Sequence, residues 1–426
     1  MNKKKTRVQV INQGCRLNQA ETASIQTELL QSGYTQTNRT KDANIIIINT
    51  CTVTNNADLD TKKLTRKISN ENPNSKIALV GCQAQIHQEK LLTLPNVNWV
   101  IGNQEKDNII QTIEKTNKKI LTPKIKSEPF VLKTPAIDVN HTRANLKIQD
   151  GCDFFCAFCI IPFARGKARS RVFEDIIKEA IILGEHGFQE LILTGINIGT
   201  YQYKNKTLTD VIKSLSEITA IKRIRISSIE PTTIEKNLIQ EIKTNPKCCH
   251  YLHIPIQSGS DHILTQMNRH YSIKEYTEFI NYCRKELPNA CIGTDIIVGF
   301  PGETKAEFDK TTLNLLTLPI DYFHVFSYSE RKLARSKKME NQVPQNIIAK
   351  RSKILRTISQ TKKKKFMSKF INQTMSVLIE NKKNGYWHGF TENYIKVKVK
   401  ANTKKNSLIK TKLITIENQQ MIGEKV

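Results

Sequence analysis

Three closely spaced cysteines in residues 145–171 constrain the chain more than any other feature. Cys152, Cys156 and Cys159 form a C-x₃-C-x₂-C run. Three thiolates this close together suit a loop around a cube-shaped iron–sulfur cluster, in which each thiolate binds one iron. Three ligands for four irons leave one iron free. The run therefore predicts a cluster that can bind a substrate or a cofactor.

Two simpler interpretations of this run are less satisfactory. A zinc site needs a fourth Cys or His at finger-like spacing, and the nearest candidates, His141 and His186, are not placed that way. Three cysteines that merely pack a core would not be expected beside Asp150, Gly151 and Asp153. The cluster is favoured over both.

Three further cysteines each follow a predicted strand in the N-terminal part. Cys15 ends the word INQGC, Cys51 ends IINTC and Cys82 ends LVGC. A single cysteine of this kind is more often a buried apolar residue. However, strands alternating with helices predict a parallel sheet, whose ligands gather at the carboxyl ends of the strands. The three thiols are therefore expected to meet at one edge and to hold a second cluster. The predicted strands are 8–11, 45–48 and 77–80, and the predicted helices are 21–31 and 60–70.

The β-then-α pattern resumes after a proline-containing stretch and predicts a partial (β/α)₆ barrel. We expect an N-terminal α/β domain at 1–117, a linker at 118–137, the barrel at 138–370 and a small antiparallel β-barrel at 371–426. The predicted strands of the larger barrel are 145–149, 189–194, 223–228, 251–256, 291–298 and 322–327, with helices at 173–186, 234–243 and 273–286. The fold class is thus a multidomain α/β protein.

Polar residues follow the predicted barrel strands, where the chemistry of such barrels takes place. Gly195 is as readily explained as a turn residue. Glu230, His253, Gln257 and Asp295 are more informative, because polar groups that converge on one barrel mouth need a ligand or water. The cysteines outside the two triads lack cluster spacing and are expected to pack in the core; they are Cys248, Cys249, Cys283 and Cys291.

Basic charge is concentrated in the last quarter of the chain. The formal net charge is +27, and residues 331–426 hold 24 basic and five acidic residues, which accounts for +19. A composition bias alone would spread the lysines evenly, so a polyanionic partner is favoured. Lys396, Lys398 and Lys400 alternate with apolar residues along one predicted strand. Aromatic residues nearby could stack on bases or fill the small core; they are Tyr386, Trp387 and Tyr394.

Composition also indicates a compartment. Ten cysteines with a labile cluster favour a reducing cytoplasm over a disulfide framework. No run approaches the roughly 20 apolar residues of a membrane span, and no signal peptide is recognisable. We therefore expect a cytoplasmic protein without a membrane partner.

The sequence around both triads resembles the radical SAM methylthiotransferases. The similar words are QDGC, FCIIP and ARGKARSR in the middle of the chain, and GCRLNQAET, INTCTVTNNAD and VGCQAQ near its start. GFTENYIKVKV resembles the TRAM domain, an RNA-binding module. The tail after Cys159 favours the branch that acts on threonylcarbamoyladenosine in tRNA. Leu333-Ala334 departs from the family, where Gly-Thr is expected at this turn.

The resemblance implies two 4Fe–4S clusters and S-adenosylmethionine as cofactors. One cluster would lie on Cys152, Cys156 and Cys159, and the other on Cys15, Cys51 and Cys82, with Asn18 and Asn49 supporting the second. It implies no catalytic residue beyond these ligands. The implied S-adenosylmethionine pocket is formed by Phe158, Gly195, Asn197, Glu230, His253, Gln257 and Asp295.

The implied reaction adds a methylthio group to carbon 2 of N6-threonylcarbamoyladenosine at position 37 of tRNA. The implied partners are a tRNA anticodon loop, a reductant such as flavodoxin or ferredoxin, and a sulfur donor, and we expect a monomer. Three alternatives stay open: the same reaction on N6-isopentenyladenosine, methylthiolation of a ribosomal-protein aspartate, and a non-catalytic iron–sulfur protein that binds RNA or acts as a sensor.

Overall fold

A parallel six-stranded sheet forms the N-terminal part of the computed structural model, which describes residues 6–426. Its strand order is β2-β1-β3-β4-β5-β6. Every residue of β3 is buried, because separate apolar clusters cover the two faces of the sheet. The strands are β1 (Arg7–Asn12), β2 (Thr35–Gln36), β3 (Ile45–Thr50), β4 (Lys76–Gly81), β5 (Val97–Ile101) and β6 (Lys119–Leu121); the helices are α1 (Arg16–Gln31), α2 (Asn55–Glu71), α3 (Cys82–Ile86), α4 (Gln88–Leu92) and α5 (Ile109–Lys115).

The three predicted strands and two predicted helices of this part are confirmed. Three strands were not predicted. β2 and β6 have only two and three residues, too few to show a period, and β5 follows a proline-containing turn. β6 lies in the stretch predicted to be a linker and forms the edge of the sheet.

The middle of the chain forms the predicted partial (β/α)₆ barrel. Six parallel strands lie in the order β7-β10-β13-β14-β15-β16, and isolated bridges join β13 to β14. The strands are β7 (Arg143–Lys147), β8 (Gln149–Asp150), β9 (Arg169–Ser170), β10 (Glu190–Thr194), β11 (Gln202–Tyr203), β12 (Lys206–Thr207), β13 (Arg223–Ile226), β14 (Tyr251–His253), β15 (Cys291–Val298) and β16 (Tyr322–Ser327). The helices are α6 (Ile161–Arg165), α7 (Phe173–Glu185), α8 (Leu208–Ser216), α9 (Lys236–Thr244), α10 (Asp261–Gln266), α11 (Ile273–Glu286), α12 (Lys305–Thr317) and α13 (Gln345–Ser368).

The four cysteines outside the triads are buried, as expected of core residues. Cys248 and Cys283 belong to the large apolar cluster between the barrel and its helices, and Cys291 packs against the C-terminal barrel. None of the helices in residues 6–426 is long and apolar enough to cross a membrane.

Five strands close the C-terminal part into a small barrel in the order β17-β18-β19-β21-β20. The prediction of a purely antiparallel barrel is wrong for one pair, because β19 and β21 are parallel. The segment 401–407 carries the chain from β19 across to β20, which pairs with β17, and the hairpin then returns β21 beside β19. The strands are β17 (Thr374–Lys383), β18 (Tyr386–Thr391), β19 (Lys396–Lys400), β20 (Leu408–Glu417) and β21 (Gln420–Lys425).

Both flanking parts contact the partial barrel. On the open side between β7 and β16, α1 packs along β7, and Arg331 beyond β16 donates hydrogen bonds to Asn55, Thr52 and Asp58 of the N-terminal part. In the C-terminal barrel, Tyr394 stacks on Phe390, with ring centroids 4.9 Å apart. Arg16 donates a 2.7 Å hydrogen bond to the Tyr394 hydroxyl. Tyr394 thus packs between domains, and base stacking by this residue is not supported.

Candidate active site between two cysteine triads

The C-x₃-C-x₂-C loop runs from β8 to α6 and is held by backbone hydrogen bonds. The Cys152 N–H donates to Gly166 at 3.1 Å, and the Ala157 N–H donates to Met267 at 2.9 Å. Gly151 has φ +73°, and a β-carbon there would collide with the carbonyl of Lys167, so this turn requires glycine. Phe155 also has a positive φ, +46°. These backbone hydrogen bonds and positive-φ residues fix the path of the loop that carries the three cysteines.

The second triad lies at the carboxyl edge of the N-terminal sheet. Cys15 joins β1 to α1, Cys51 follows β3 and Cys82 begins α3 after β4, so the thiols come from three adjacent strands. Asn18 accepts a hydrogen bond from Cys15 at 3.5 Å. Asn49 in turn donates to the Asn18 carbonyl at 3.0 Å. Both asparagines therefore hold the loops that carry this triad.

The thiols of each triad lie close enough to affect one another's ionisation. Burial and then the neighbouring Cys82 raise the pKa of Cys51 to about 11. Burial and then Cys156 raise the pKa of Cys159 to about 12, and burial raises that of Cys152 to about 11. Thiolates gathered here need a cationic partner, which the iron of a cluster supplies.

A single zinc ion does not fit either triad. In the described part of the chain, the only three Cys, His, Asp or Glu side chains whose ligand atoms all lie within 4.8 Å of one another are His253, Asp295 and His324. Zinc–sulfur bonds of about 2.3 Å would draw the thiolates closer together than that. The wider spacing of both triads suits a polynuclear cluster.

In each triad, one cysteine accepts a hydrogen bond from a buried arginine, and the two triads have different arginines. Arg269 donates to Cys156 Sγ at 3.1 Å and forms an ion pair with Glu230. Arg165 donates to Cys82 Sγ at 3.2 Å. Cationic N–H groups are strong hydrogen-bond donors to sulfur atoms that carry negative charge, as cluster ligands do.

A cavity of about 200 Å³ borders the first triad and the chain just after Cys51 of the second. Cys159 lines it together with Val53 and Thr54. Phe326 contributes an aromatic ring that is 47% exposed. The lining residues are Val53, Thr54, Phe158, Cys159, Ile160, Ile161, Gln257, Asp295, Ile297, Phe326, Ser327, Tyr328 and Ser329. The cavity thus joins the loop of the first triad to the segment that follows Cys51 of the second.

The remaining residues predicted for the pocket lie around this cavity or the Cys152–Cys159 loop. His253 Nε2 is 3.0 Å from Asp295 Oδ1 inside the barrel. The Asn197 carboxamide accepts a 3.3 Å hydrogen bond from the Glu230 backbone, and its Nδ2 has no partner among the described residues. Gly195 packs against Gln149, where a β-carbon would lie 2.8 Å from Gln149 Oε1. An unpaired buried amide at the barrel mouth fits a polar cofactor.

Sequence reasoning missed three residues that hold this site. Gln149 accepts hydrogen bonds from the backbones of Ile196 and Asn197, and Arg165 and Arg269 contact the cysteines. No sequence signal identifies Arg269, which is 113 residues from Cys156. Arg165 lies in the basic tail after Cys159, but nothing in the tail shows that it reaches the other triad.

A partial (β/α)₆ barrel with a three-cysteine loop after its first strand defines a radical SAM protein. Residues 146–314 match the radical SAM superfamily model, and residues 7–102 match the model described as uncharacterized protein family UPF0004. Solved structures agree on the fold: the methyltransferase TsrM from Kitasatospora setae aligns with a TM-score of 0.55 and 11% identity, covering 75% of this chain and 72% of its own.

Curated relatives narrow the class. The threonylcarbamoyladenosine tRNA methylthiotransferase MtaB of Bacillus subtilis (strain 168) is 35% identical, covering 91% of this chain and 89% of its own. Its namesake from Aquifex aeolicus (strain VF5) is 34% identical, covering 90% and 94%. The tRNA-2-methylthio-N(6)-dimethylallyladenosine synthase of Thermodesulfovibrio yellowstonii is 31% identical, covering 96% of both chains. The chain belongs to the radical SAM methylthiotransferase family, as its sequence words predict.

Proposed function

We propose that this protein adds a methylthio group to carbon 2 of N6-threonylcarbamoyladenosine at position 37 of tRNA. The observation that carries the proposal is the cavity, which borders Cys159 of one triad and the segment just after Cys51 of the other. Relatives named for this activity cover about nine-tenths of the chain. The enzyme would be a transferase of the radical SAM type.

The donor sets fit the cofactors of such a transferase. Cys152, Cys156 and Cys159 would hold a 4Fe–4S cluster, and Cys15, Cys51 and Cys82 would hold another. With S-adenosylmethionine bound, the first cluster would supply radical chemistry and the second would carry the sulfur. Gly195, Asn197, Glu230 and His253 would border S-adenosylmethionine together with Phe158, Gln257 and Asp295. The unpaired Asn197 amide would donate a hydrogen bond to it.

The cavity's own residues would hold the base. A nucleotide in an anticodon loop can be splayed out and stacked on an aromatic ring without melting a duplex. Phe326 has such an exposed ring, and Val53, which also lines the cavity, is 51% exposed. These apolar side chains would orient the base and exclude water, so that solvent would not quench a reactive species.

The C-terminal barrel would contact the tRNA backbone. Lys396 and Lys400 are exposed on β19, and Lys398 lies over the Tyr386 ring, 4.1 Å from its centroid. We propose the domain boundaries given above, with the N-terminal domain extended through β6 and with 371–426 as a TRAM-like module. We also propose a monomeric, cytoplasmic enzyme that takes electrons from flavodoxin or ferredoxin and sulfur from a separate donor.

Replacing Lys396 and Lys400 with alanine together should weaken tRNA binding and make it less dependent on salt. Each lost phosphate contact should reduce the slope of log K against log salt concentration by about 1. Binding measured over a salt series tests this. Lys178→Ala, which removes an exposed lysine on α7, should leave the slope unchanged. An unaltered slope in the double variant would exclude β19 from the RNA interface.

One alternative has a specific observation in its favour. The relative from Thermodesulfovibrio yellowstonii is named for dimethylallyladenosine and is nearly as similar as the MtaB proteins. Mass spectrometry of tRNA nucleosides from a strain lacking this gene separates the two. Loss of 2-methylthio-N6-threonylcarbamoyladenosine, restored by the gene, supports the proposal. If the methylthio form of isopentenyladenosine (the same nucleoside as dimethylallyladenosine) is lost instead, that nucleoside is the substrate and the proposal is wrong. An unchanged profile would refute both substrates.

A further inference from the structure

Arg165 connects the two triads in an unusual way. It ends α6, only six residues after Cys159, so by sequence it belongs to the first triad's loop. Its Nε nevertheless donates to Cys82 Sγ of the second triad. The side chain is 1% exposed, and this contact therefore occurs away from water.

The rest of the Arg165 guanidinium contacts residues on both sides of the junction. Nη1 donates to Glu21 at 2.8 Å and to Asp150 at 3.0 Å, and Nη2 donates to Asn18 at 3.0 Å. Glu21 and Asn18 lie on α1 just after Cys15, and Asp150 immediately precedes the loop of the first triad. One planar group with a fixed fork of donors thus fixes the loops of both triads.

Glu21 and Asp150, the two acids that bind Arg165, also form ion pairs with other basic side chains. Lys147 lies 2.8 Å from both Glu21 and Asp150, Arg169 lies 3.0 Å from Asp150, and Lys106 pairs with Glu21. Buried charges are tolerated only when they are fully paired. Because the partners come from both domains, this network forms only when the domains dock in one arrangement.

We propose that Arg165 is a positioning residue that fixes the second cluster site relative to the first and tunes the reduction potential of the cluster held there. This inference rests on the proposed function for its second cluster. Hydrogen bonds to cysteine sulfur are among the factors that set cluster potentials, and a cationic donor favours the reduced form. A misplacement of about 1 Å in a reacting assembly can cost about 100-fold in rate.

Arg165→Gln tests both effects on the full enzyme. We expect the variant to keep cleaving S-adenosylmethionine while the ratio of methylthiolated product to deoxyadenosine falls by up to about 100-fold. The midpoint potential of the second cluster should become more negative. Arg171→Gln is the matched control, because Arg171 is equally buried and ion-paired with Asp175 and Glu179 but donates no hydrogen bond to a cysteine of residues 6–426. Wild-type values of both ratio and potential in Arg165→Gln would overturn the inference.

A second measurement does not depend on the folding of an Arg165 variant. The full chain with Cys152, Cys156 and Cys159 replaced by alanine retains only the second triad, and Arg269 contacts only the first. After growth on ¹⁵N-arginine, pulsed EPR of the reduced cluster should show coupling to an arginine nitrogen. A cluster signal without that coupling overturns the inference. The absence of any cluster signal refutes the second cluster itself, and with it the proposed function.

Discussion

Replacing Cys156 with alanine is expected to abolish cleavage of S-adenosylmethionine, whereas replacing Cys51 should spare cleavage and stop sulfur insertion. The two cysteines belong to separate triads on separate domains, and each triad has its own arginine. Changing a residue that merely supports a metal ligand costs 10–100-fold, so removing a ligand should cost more than about 100-fold. Cleavage of S-adenosylmethionine and insertion of sulfur should therefore depend on different triads.

Anaerobically reconstituted protein checks this division. Deoxyadenosine release and methylthiolated tRNA are measured together with iron, which should be about eight atoms per wild-type chain and about four in a variant that has lost one cluster. Cys283→Ala, a buried cysteine of α11 outside both triads, controls for the loss of a core thiol. A folded Cys51→Ala protein that holds one intact cluster but cleaves no S-adenosylmethionine would contradict separate roles.

The parts of the site that could be predicted depend on short-range sequence. Cys152, Cys156 and Cys159 lie within eight residues, so their spacing reports their geometry directly. Cys15, Cys51 and Cys82 are far apart, but each follows a strand. The carboxyl ends of adjacent parallel strands meet at one edge, and this made their convergence predictable. The roles assigned to the pocket residues from Gly195 to Asp295 stay predictions.

The parts that could not be predicted depend on how the domains dock. The contact of Arg165 with Cys82 spans 83 residues, and neither local period nor spacing encodes it. The parallel pairing of β19 with β21 depends on where a seven-residue connection crosses the barrel. The short edge strands β2 and β6 form because a neighbouring strand offers unpaired backbone groups rather than because of their own composition.

Glu190→Gln should strongly destabilise the contact between the partial barrel and the C-terminal barrel. Glu190 is fully buried on β10 and is surrounded by Arg225 at 2.7 Å, Arg223 at 3.6 Å and Arg143 at 4.0 Å. Arg225 and Arg223 also donate to backbone carbonyls of the C-terminal barrel, including Glu392 at 2.8 Å and Ser376 at 2.6 Å. Arg143 also pairs with Glu380 at 2.6 Å, but removing the Glu190 carboxylate leaves Arg225 and Arg223 without an acidic partner in residues 6–426. Leaving buried cations unpaired costs about 3–5 kcal/mol.

Urea unfolding at neutral pH should show this loss of stability as a lower midpoint concentration for Glu190→Gln. The control variant Glu185→Ala, which removes an exposed acid at the end of α7, should keep the wild-type midpoint.

The destabilisation by Glu190→Gln should also depend on pH. Burial opposes ionisation, but Arg225 and Arg143 lower the pKa of Glu190 below its ordinary value of about 4.3. Its carboxylate therefore contributes fully above that pH, and the contribution is lost as the pH falls through the lower native value. The gap between wild type and Glu190→Gln should accordingly be widest near neutrality and narrow in acid. A gap that is constant with pH would show that the loss comes from packing rather than from charge.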